Sequence, residues 1–487
     1  MRTVLYINGI ALLGLALFML LPLILEINEH TQDWQVFAIS TFFCLFFGAL
    51  LVFANQSEHY ELDVRHAYVL TITIWLIISL FGALPFYFSH TGYKLSFTDA
   101  IFETVSGITT TSSTVYVGLD QAPKGILLWR SLLQFIGGIG IVVMSMTILP
   151  YLKVGGMQIF RLDASEYGDK ILLSIRQITI YAILLYFILN IVCAYCYYIA
   201  GMSVFDAVNH AMTTISTGGF STHDASFGYF NNKVRWVGVI FMIIGATPLM
   251  LYYYPMIGRV PSRPLLEQTK AFLFGLLTVI MVMTLWLIFH VGMNFIQALN
   301  QAVFNITSIA TTSGFVSEDY SKWGSFPMLV FYFLIVMGGC TGSTCGGIKT
   351  FRVQVMVKVL LLEIKRMVHP HGVFSTQLGG KTLDTEVTKS VGTFFLIFIF
   401  TFLVTAIGLS FTGLDFITSV SGAAEAISNV GSGLGSIIGP THNFSSLPNS
   451  SIWILTLAML VGRLEIITVL VLFTGYFWQD LHVEYQE

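Results

Sequence analysis

Asp99-Ala-Ile-Phe-Glu-Thr-Val-Ser-Gly-Ile-Thr-Thr-Thr-Ser-Ser113 aligns without a gap on Gln301-Ala-Val-Phe-Asn-Ile-Thr-Ser-Ile-Ala-Thr-Thr-Ser-Gly-Phe315. The alignment pairs Ala100 with Ala302, Phe102 with Phe304, Ser106 with Ser308, and Thr109-Thr110 with Thr311-Thr312. Looser copies occur at Phe205-Asp-Ala…Thr214-Ile-Ser-Thr-Gly-Gly219 and at Phe416…Ile427-Ser-Asn-Val-Gly431. Repetition at intervals of about a hundred residues implies a fold made by repeating one unit. Small polar residues at the same place in each unit set four similar turns around one axis. Carbonyl and hydroxyl oxygens would then line a pore.

Composition places those units in a bilayer. Of 487 residues, 55% are hydrophobic and 10% charged, with a mean hydropathy of +0.79. A soluble chain would carry about 25% charged residues. Apolar runs long enough to span as helices lie at 3–25, 34–55, 67–90, 125–152, 173–200, 234–257, 268–293, 325–352, 387–412 and 450–478. The first has only Arg2 ahead of it and no small-residue cleavage site, so it reads as a retained helix. With the N-terminus inside, sixteen Lys and Arg fall on the inner side against five outside (Lys94, Lys124, Lys233, Arg235, Lys322). That asymmetry orients the chain, with both termini cytoplasmic and all four tracts near the outer face. The five cysteines show no metal-ligand spacing and read as packing residues.

The expected fold is an all-α polytopic membrane protein with four pseudo-symmetric helix–reentrant loop–helix repeats around a pore. An N-terminal two-helix hairpin (1–56) precedes repeats at 66–152, 173–257, 267–352 and 386–478. A cytoplasmic surface loop fills 353–385 and a cytoplasmic tail 479–487, so any cytoplasmic sensor would be a separate chain. Segments such as 97–108 and 205–215 are too apolar for ordinary loops and too short to cross. They suit half-helices, whose irregular ends are tolerated at membrane depth only against protein or a water-filled cavity. Four of them pointing inward would aim negative C-terminal ends at a shared centre and favour a cation.

Four features carry the chemistry. The filter tracts read as Thr109-Thr110-Thr111-Ser112, Ile215-Ser216-Thr217-Gly218, Thr311-Thr312-Ser313-Gly314 and Ser428-Asn429-Val430-Gly431. Within them the coordinating oxygens are assigned to Thr110, Thr111, Thr217, Thr312, Ser313, Asn429 and Val430. Terminal glycine allows positive φ and turns carbonyls toward the axis. Close helix packing is the competing explanation for one tract, and four matching tracts weigh against it. The second feature is Met337-Gly-Gly-Cys-Thr-Gly-Ser-Thr-Cys-Gly-Gly347. Gly338, Gly339, Gly342, Gly346 and Gly347 would each cost a helix up to about 1 kcal/mol, so the span should break there. It lacks the Gly-Lys-Ser/Thr order of a phosphate loop. Third is Arg463, halfway along the last span, where a charge should face a cavity or a partner. Glu465, two positions on, points to another face. Fourth is an excess of outer acids, twelve against five bases, among them Glu26, Asp33, Glu103 and Glu425. Negative surface charge concentrates cations at a mouth.

Phe205-Asp-Ala, Thr217-Gly-Gly-Phe-Ser-Thr-His-Asp-Ala-Ser226, Gly118-Leu-Asp-Gln-Ala-Pro-Lys124 and Trp129-Arg…Gly137-Gly-Ile-Gly140 resemble the Trk potassium-uptake family. The resemblance is to the TrkH/TrkG-type membrane subunits of the Trk/Ktr/HKT superfamily. It implies potassium uptake through a dehydrated single-file filter in the bacterial cytoplasmic membrane. It also implies gating by the glycine-rich loop and Arg463, a homodimer with one pore per subunit, and a TrkA-like cytoplasmic ring that alone binds nucleotide. Potassium would be cargo, with no covalent cofactor and no nucleic-acid partner; lipid would surround the chain. Ser112 departs from the glycine of TrkH-like relatives, and serine there accompanies sodium preference in plant relatives, so the alternative is a sodium-permeable, weakly selective pore. A polytopic membrane enzyme is the rival from another class, and no cluster of titratable or metal-binding groups supports it.

Overall fold

Each repeat is a spanning helix, a short half-helix and a second helix, because the apolar runs are interrupted where polar caps and small residues gather. The computed structural model describes residues 1–57, 63–90, 92–147, 175–256 and 258–479. The end of the first repeat (148–152), the start of the second (173–174), Lys153, Arg161, Lys170 and the tail from 480 lie outside the described residues.

Half-helices occupy Phe97–Ile108, Val204–Ile215, Phe295–Ala310 and Phe416–Ser428. Each begins on a side-chain cap that accepts a backbone N–H two or three residues on, as N-caps do. The caps are Ser96, Ser203, Asn294 and Asp415. Asp99 and Asp206, in the first turns of these helices, accept the Ser96 and Ser203 hydroxyls at 2.7 Å.

Among the described residues, seven helices are long and apolar enough to cross a membrane, or eight if Asn232–Ala246 and Met250–Met256, bent by 86°, are one span. Besides this bent sixth span, two more of the ten spans read from sequence are broken. The eighth stops at Val336 and resumes as Thr350–Val368, so a helix occupies much of what reads as a surface loop after 352. The tenth stops at Arg463 and restarts at Ile466, with Glu465 at φ +61° between them.

Helices Arg2–Asn28 and Trp34–Ala54 pair as the hairpin and rest on the first repeat. Two buried acids fasten it. Glu26 accepts the Gly125 N–H at the start of the helix Lys124–Thr147, and Asp33 accepts the His90 N–H at 3.0 Å and the Ser89 hydroxyl at 3.3 Å. Glu26, Asp33, Glu103 and Glu425 are all fully buried, so four of the twelve acids assigned to the outer side are not surface residues. Each meets a polar partner distant in sequence, which offsets the penalty of burying a carboxylate, although Glu425 Oε1 itself has no hydrogen-bond partner among the described residues.

Candidate functional site

All four half-helices end alike. At each end one N–H bonds back three positions: Thr110 to Gly107 O, Thr217 to Thr214 O and Thr312 to Ile309 O at 3.0 Å, and Asn429 to Ala426 O at 3.3 Å. The next N–H reaches five back, from Thr111 to Ser106 O, Gly218 to Thr213 O and Ser313 to Ser308 O at 2.8 Å, and from Val430 to Glu425 O at 3.0 Å. This is the paired-bond termination of a helix on a left-handed residue. Thr110, Thr217, Thr312 and Asn429 accordingly have φ of 53°, 51°, 54° and 54°. Threonine is strained there, and such strain persists where surroundings over-determine it and tends to mark functional positions.

Two residues further on, Ser112, Gly219, Gly314 and Gly431 form a second positive-φ set at 76°, 83°, 76° and 84°. The second tract therefore runs one residue later than its sequence alignment. Thr217 takes the place of Thr110, Gly218 that of Thr111, and Gly219, not Gly218, joins the ring, while Ser216 is a cap residue. Two adjacent glycines left that register open; the backbone bonds decide it. A Cβ on Gly219 would overlap the Ser313 carbonyl, one on Gly314 the Val430 carbonyl, and one on Gly431 the Thr111 carbonyl. The tracts thus pack edge to edge in the order first, fourth, third, second. At each of those three glycines the added Cβ would also meet Ser112 Oγ. The hydroxyl therefore sits where the tracts converge, and it donates to Val430 O at 3.2 Å.

Behind the ring, each half-helix holds the chain that leaves it. Glu103 accepts from Thr114 Oγ1 and Val115 N at 3.0 Å, His210 bonds Ser221 Oγ at 3.0 Å, and Asn305 donates to Ser317 Oγ at 2.9 Å. Ser421 does the same for Leu434, accepting its N–H at 3.1 Å. Arg130, buried, joins two repeats: it donates to Glu103 at 2.7 Å and to Ser221 O at 2.9 Å, and lies 4.1 Å from the Phe220 ring. At the mouth, His223 lies between Asp120 (2.5 Å) and Asp206 (3.5 Å) and stacks on Tyr229. Burial lowers its basicity, but bonds to the two carboxylates outweigh that and raise its pKa above the ordinary histidine value.

On the opposite side of the ring, the glycine-rich tract lies directly against the half-helix ends. Thr344 Oγ1 reaches Ile215 O at 3.0 Å, Cys345 Sγ reaches Thr311 O at 3.0 Å, and Gly346 N donates to Thr312 Oγ1 at 2.9 Å. Its limbs are held together by Gly338 N to Ile348 O at 2.9 Å, and they lean on the break in the second repeat through Cys340 N to Ala246 O at 2.9 Å. Gly342 and Gly347 take positive φ. A Cβ on Gly338 or Gly346 would strike backbone, and one on Gly339 would crowd the Ala246 carbonyl.

Gly462 packs on the Ile427 carbonyl, which sets Arg463 beside the same pocket as Thr341, Gly346 and Lys349. Arg463 is 3% exposed, and its Nε and Nη2 have no hydrogen-bond partner in the described structure. Glu465 pairs instead with Arg352 at 2.6 Å, whose guanidinium lies 3.6 Å from the Phe394 ring. Sequence reasoning missed Gly219, Thr344 and the Arg352–Glu465 pair. The Gly218-Gly219 doublet was a signal for the first; nothing local signals the others.

A profile of the TrkH family, described as a cation transport protein, matches residues 33–485. The chain is 40% identical to the Trk system potassium uptake protein TrkI of Halomonas elongata, over 98% of this chain and 97% of that one. It is 36% identical to the Trk system potassium uptake protein TrkH of Salmonella typhimurium, over 98% and 99%. Its structure matches the crystal structure of the potassium transporter TrkH from Vibrio parahaemolyticus with a TM-score of 0.89 at 34% identity, over 98% of this chain and 99% of that one.

Proposed function

Because the chain belongs to the TrkH family of cation transport proteins, we propose that it takes up potassium across the bacterial cytoplasmic membrane, with the ring facing outward and both termini inside. It is a transport protein rather than an enzyme. The observation that carries the reading is the register-matched end of four half-helices, each closing on a left-handed residue two positions before the ring. Oxygens of Thr110, Thr111, Thr217, Gly218, Thr312, Ser313, Asn429 and Val430 replace the ion's hydration shell, as filter carbonyls do. The negative ends of the half-helix dipoles point the same way.

Beneath the ring, the loop from Gly338 to Gly347 is the gate. Its closure is supported by the bonds of Thr344, Cys345 and Gly346 to the half-helix ends. Arg463 adds an electrostatic barrier: a buried unpaired cation opposes a passing cation far more strongly than it would in water. The relatives are named as parts of a Trk system, which supports a further component. We assign that role to a cytoplasmic nucleotide-binding ring acting on a homodimer, with Thr350–Val368 carrying its motion to the loop.

Uptake of K⁺, Na⁺ and Rb⁺ in competition, in liposomes holding the purified protein, tests the proposal. Potassium uptake abolished by a substitution in the ring is expected; flux that ignores the ring rejects it. The Ser112 hydroxyl at the convergence of the tracts favours a second reading, a pore that passes potassium but discriminates poorly against sodium.

A further inference from the structure

Two positions break the fourfold pattern of the filter, and they meet at one seam. Ser112 stands in the ring with Gly219, Gly314 and Gly431. Four residues before each left-handed position stand Ser106, Thr213, Ser308 and Glu425. A carboxyl therefore replaces a hydroxyl in the fourth half-helix alone. In the third repeat the equivalent Ser308 stays within its own tract, donating to Phe315 O at 2.6 Å. Glu425 crosses to the neighbouring one. Fully buried, it accepts the Ser113 hydroxyl at 3.0 Å, and the Gly431 N–H faces the same carboxyl.

These bonds close a circuit around Ser112. The backbone carbonyl of Glu425 accepts Val430 N at 3.0 Å, Val430 O accepts Ser112 Oγ at 3.2 Å, and Ser113 returns to the Glu425 side chain. A serine at φ +76° is strained and persists only where its surroundings over-determine it. At the other three ring positions glycine removes that need.

We propose that Glu425 is a specificity-determining positioning residue: through Ser113 it fixes the turn at Ser112 and so holds the Ser112 hydroxyl across the ring. The inference rests on the reading of this ring as the selectivity filter. It assigns the ion preference of the pore to a side chain that touches no ion.

The test is the K⁺/Na⁺ uptake ratio in liposomes for Ser112→Gly, Ser113→Ala, Glu425→Gln, Glu425→Ala and the combination of Ser112→Gly with Glu425→Ala. Ser113→Ala and Glu425→Ala should each move the ratio about fivefold toward that of Ser112→Gly, the worth of about one hydrogen bond. Glu425→Gln, whose amide oxygen still accepts from Ser113, should keep the parental ratio. In the Ser112→Gly background, Glu425→Ala should change nothing further. A parental ratio in Ser113→Ala, or equal shifts from Glu425→Ala in both backgrounds, overturns the inference. A ratio that Ser112→Gly itself leaves unmoved overturns the underlying reading instead. If Glu425→Ala fails to assemble, Ser113→Ala, which loses a single hydroxyl, carries the test.

Discussion

In the mouth half of the pore, four repeats deliver the same turn, with their left-handed residues all between φ 51° and 54°. In the opposite half, among the described residues, one repeat alone supplies the glycine-rich loop, and one alone supplies a buried arginine whose Nε and Nη2 have no hydrogen-bond partner. Coordination of a bare cation needs oxygens from several sides at once, so the ring must repeat. An obstruction needs only one obstacle, so the proposed gate need not. A single defect in the ring should therefore weaken a shared site, whereas a single defect in the gate should release the path.

The sharpest way to break this contrast is Gly431→Ala. The added methyl would collide with the Thr111 carbonyl and the Ser112 hydroxyl. Strain of that kind costs about 1–3 kcal/mol, so uptake should fall by about a hundredfold at the upper end. Tracer flux into liposomes, with assembly checked by gel filtration, measures it. Near-parental flux would mean that the ring does not lie on the path.

Substitutions in the gate should act in the other direction. A unit charge about 10 Å from a passing cation opposes it by roughly 1.7 kcal/mol at an effective dielectric of about 20. Arg463→Ala should thus raise flux about tenfold and leave the ranking of ions alone. Shortening Gly338–Gly347 should give a constitutively open pore that still assembles. A lower flux in folded Arg463→Ala protein, or a shortened loop that prevents folding, would make the inner half structural rather than gating. Between these lies Ser112→Gly, expected to raise the K⁺/Na⁺ ratio about fivefold by removing one hydrogen-bonding hydroxyl from the ring. An already high ratio that the change leaves alone would show that one member of the ring does not set its preference.

The same contrast explains what the sequence made legible. Repetition exposed the half-helices and three of the four tract registers, since the same small polar residues recur at the same distance from Ala100, Ala302 and their counterparts. The glycine tract announced its own break, because five glycines cannot sustain a helix. Unrepeated features were hidden. Nothing in Leu460-Val-Gly-Arg-Leu-Glu465 signals that the last helix stops at Arg463, or that Glu465 finds Arg352 113 positions away in sequence. Glu26, Asp33, Glu103 and Glu425 looked like surface charge because their partners, from His90 and Ser113 to Gly125 and Arg130, lie on other elements. A buried carboxylate is recognisable only through the donors that surround it.

The smallest expected effect lies at the rim, where Asp120, His223 and Asp206 tie the first repeat's mouth loop to the second repeat. Protonated His223 serves both carboxylates, with the Tyr229 ring stacked 3.7 Å away and His210 close enough to interact with it electrostatically. Its pKa is raised above 6.5 despite the opposing effect of burial. The clamp is therefore complete below that ordinary value and is lost as pH rises through the raised one. Asp120 is half-exposed, so screening by solvent limits the contribution to about 0.5–1 kcal/mol. Thermal unfolding of the purified protein between pH 5.5 and 9 should show the parent losing that much stability relative to His223→Gln. Parallel curves would show that the clamp adds nothing. Uptake ratios should stay level across the same range in both proteins, because the clamp joins loops above the ring and none of its atoms belongs to the four tracts.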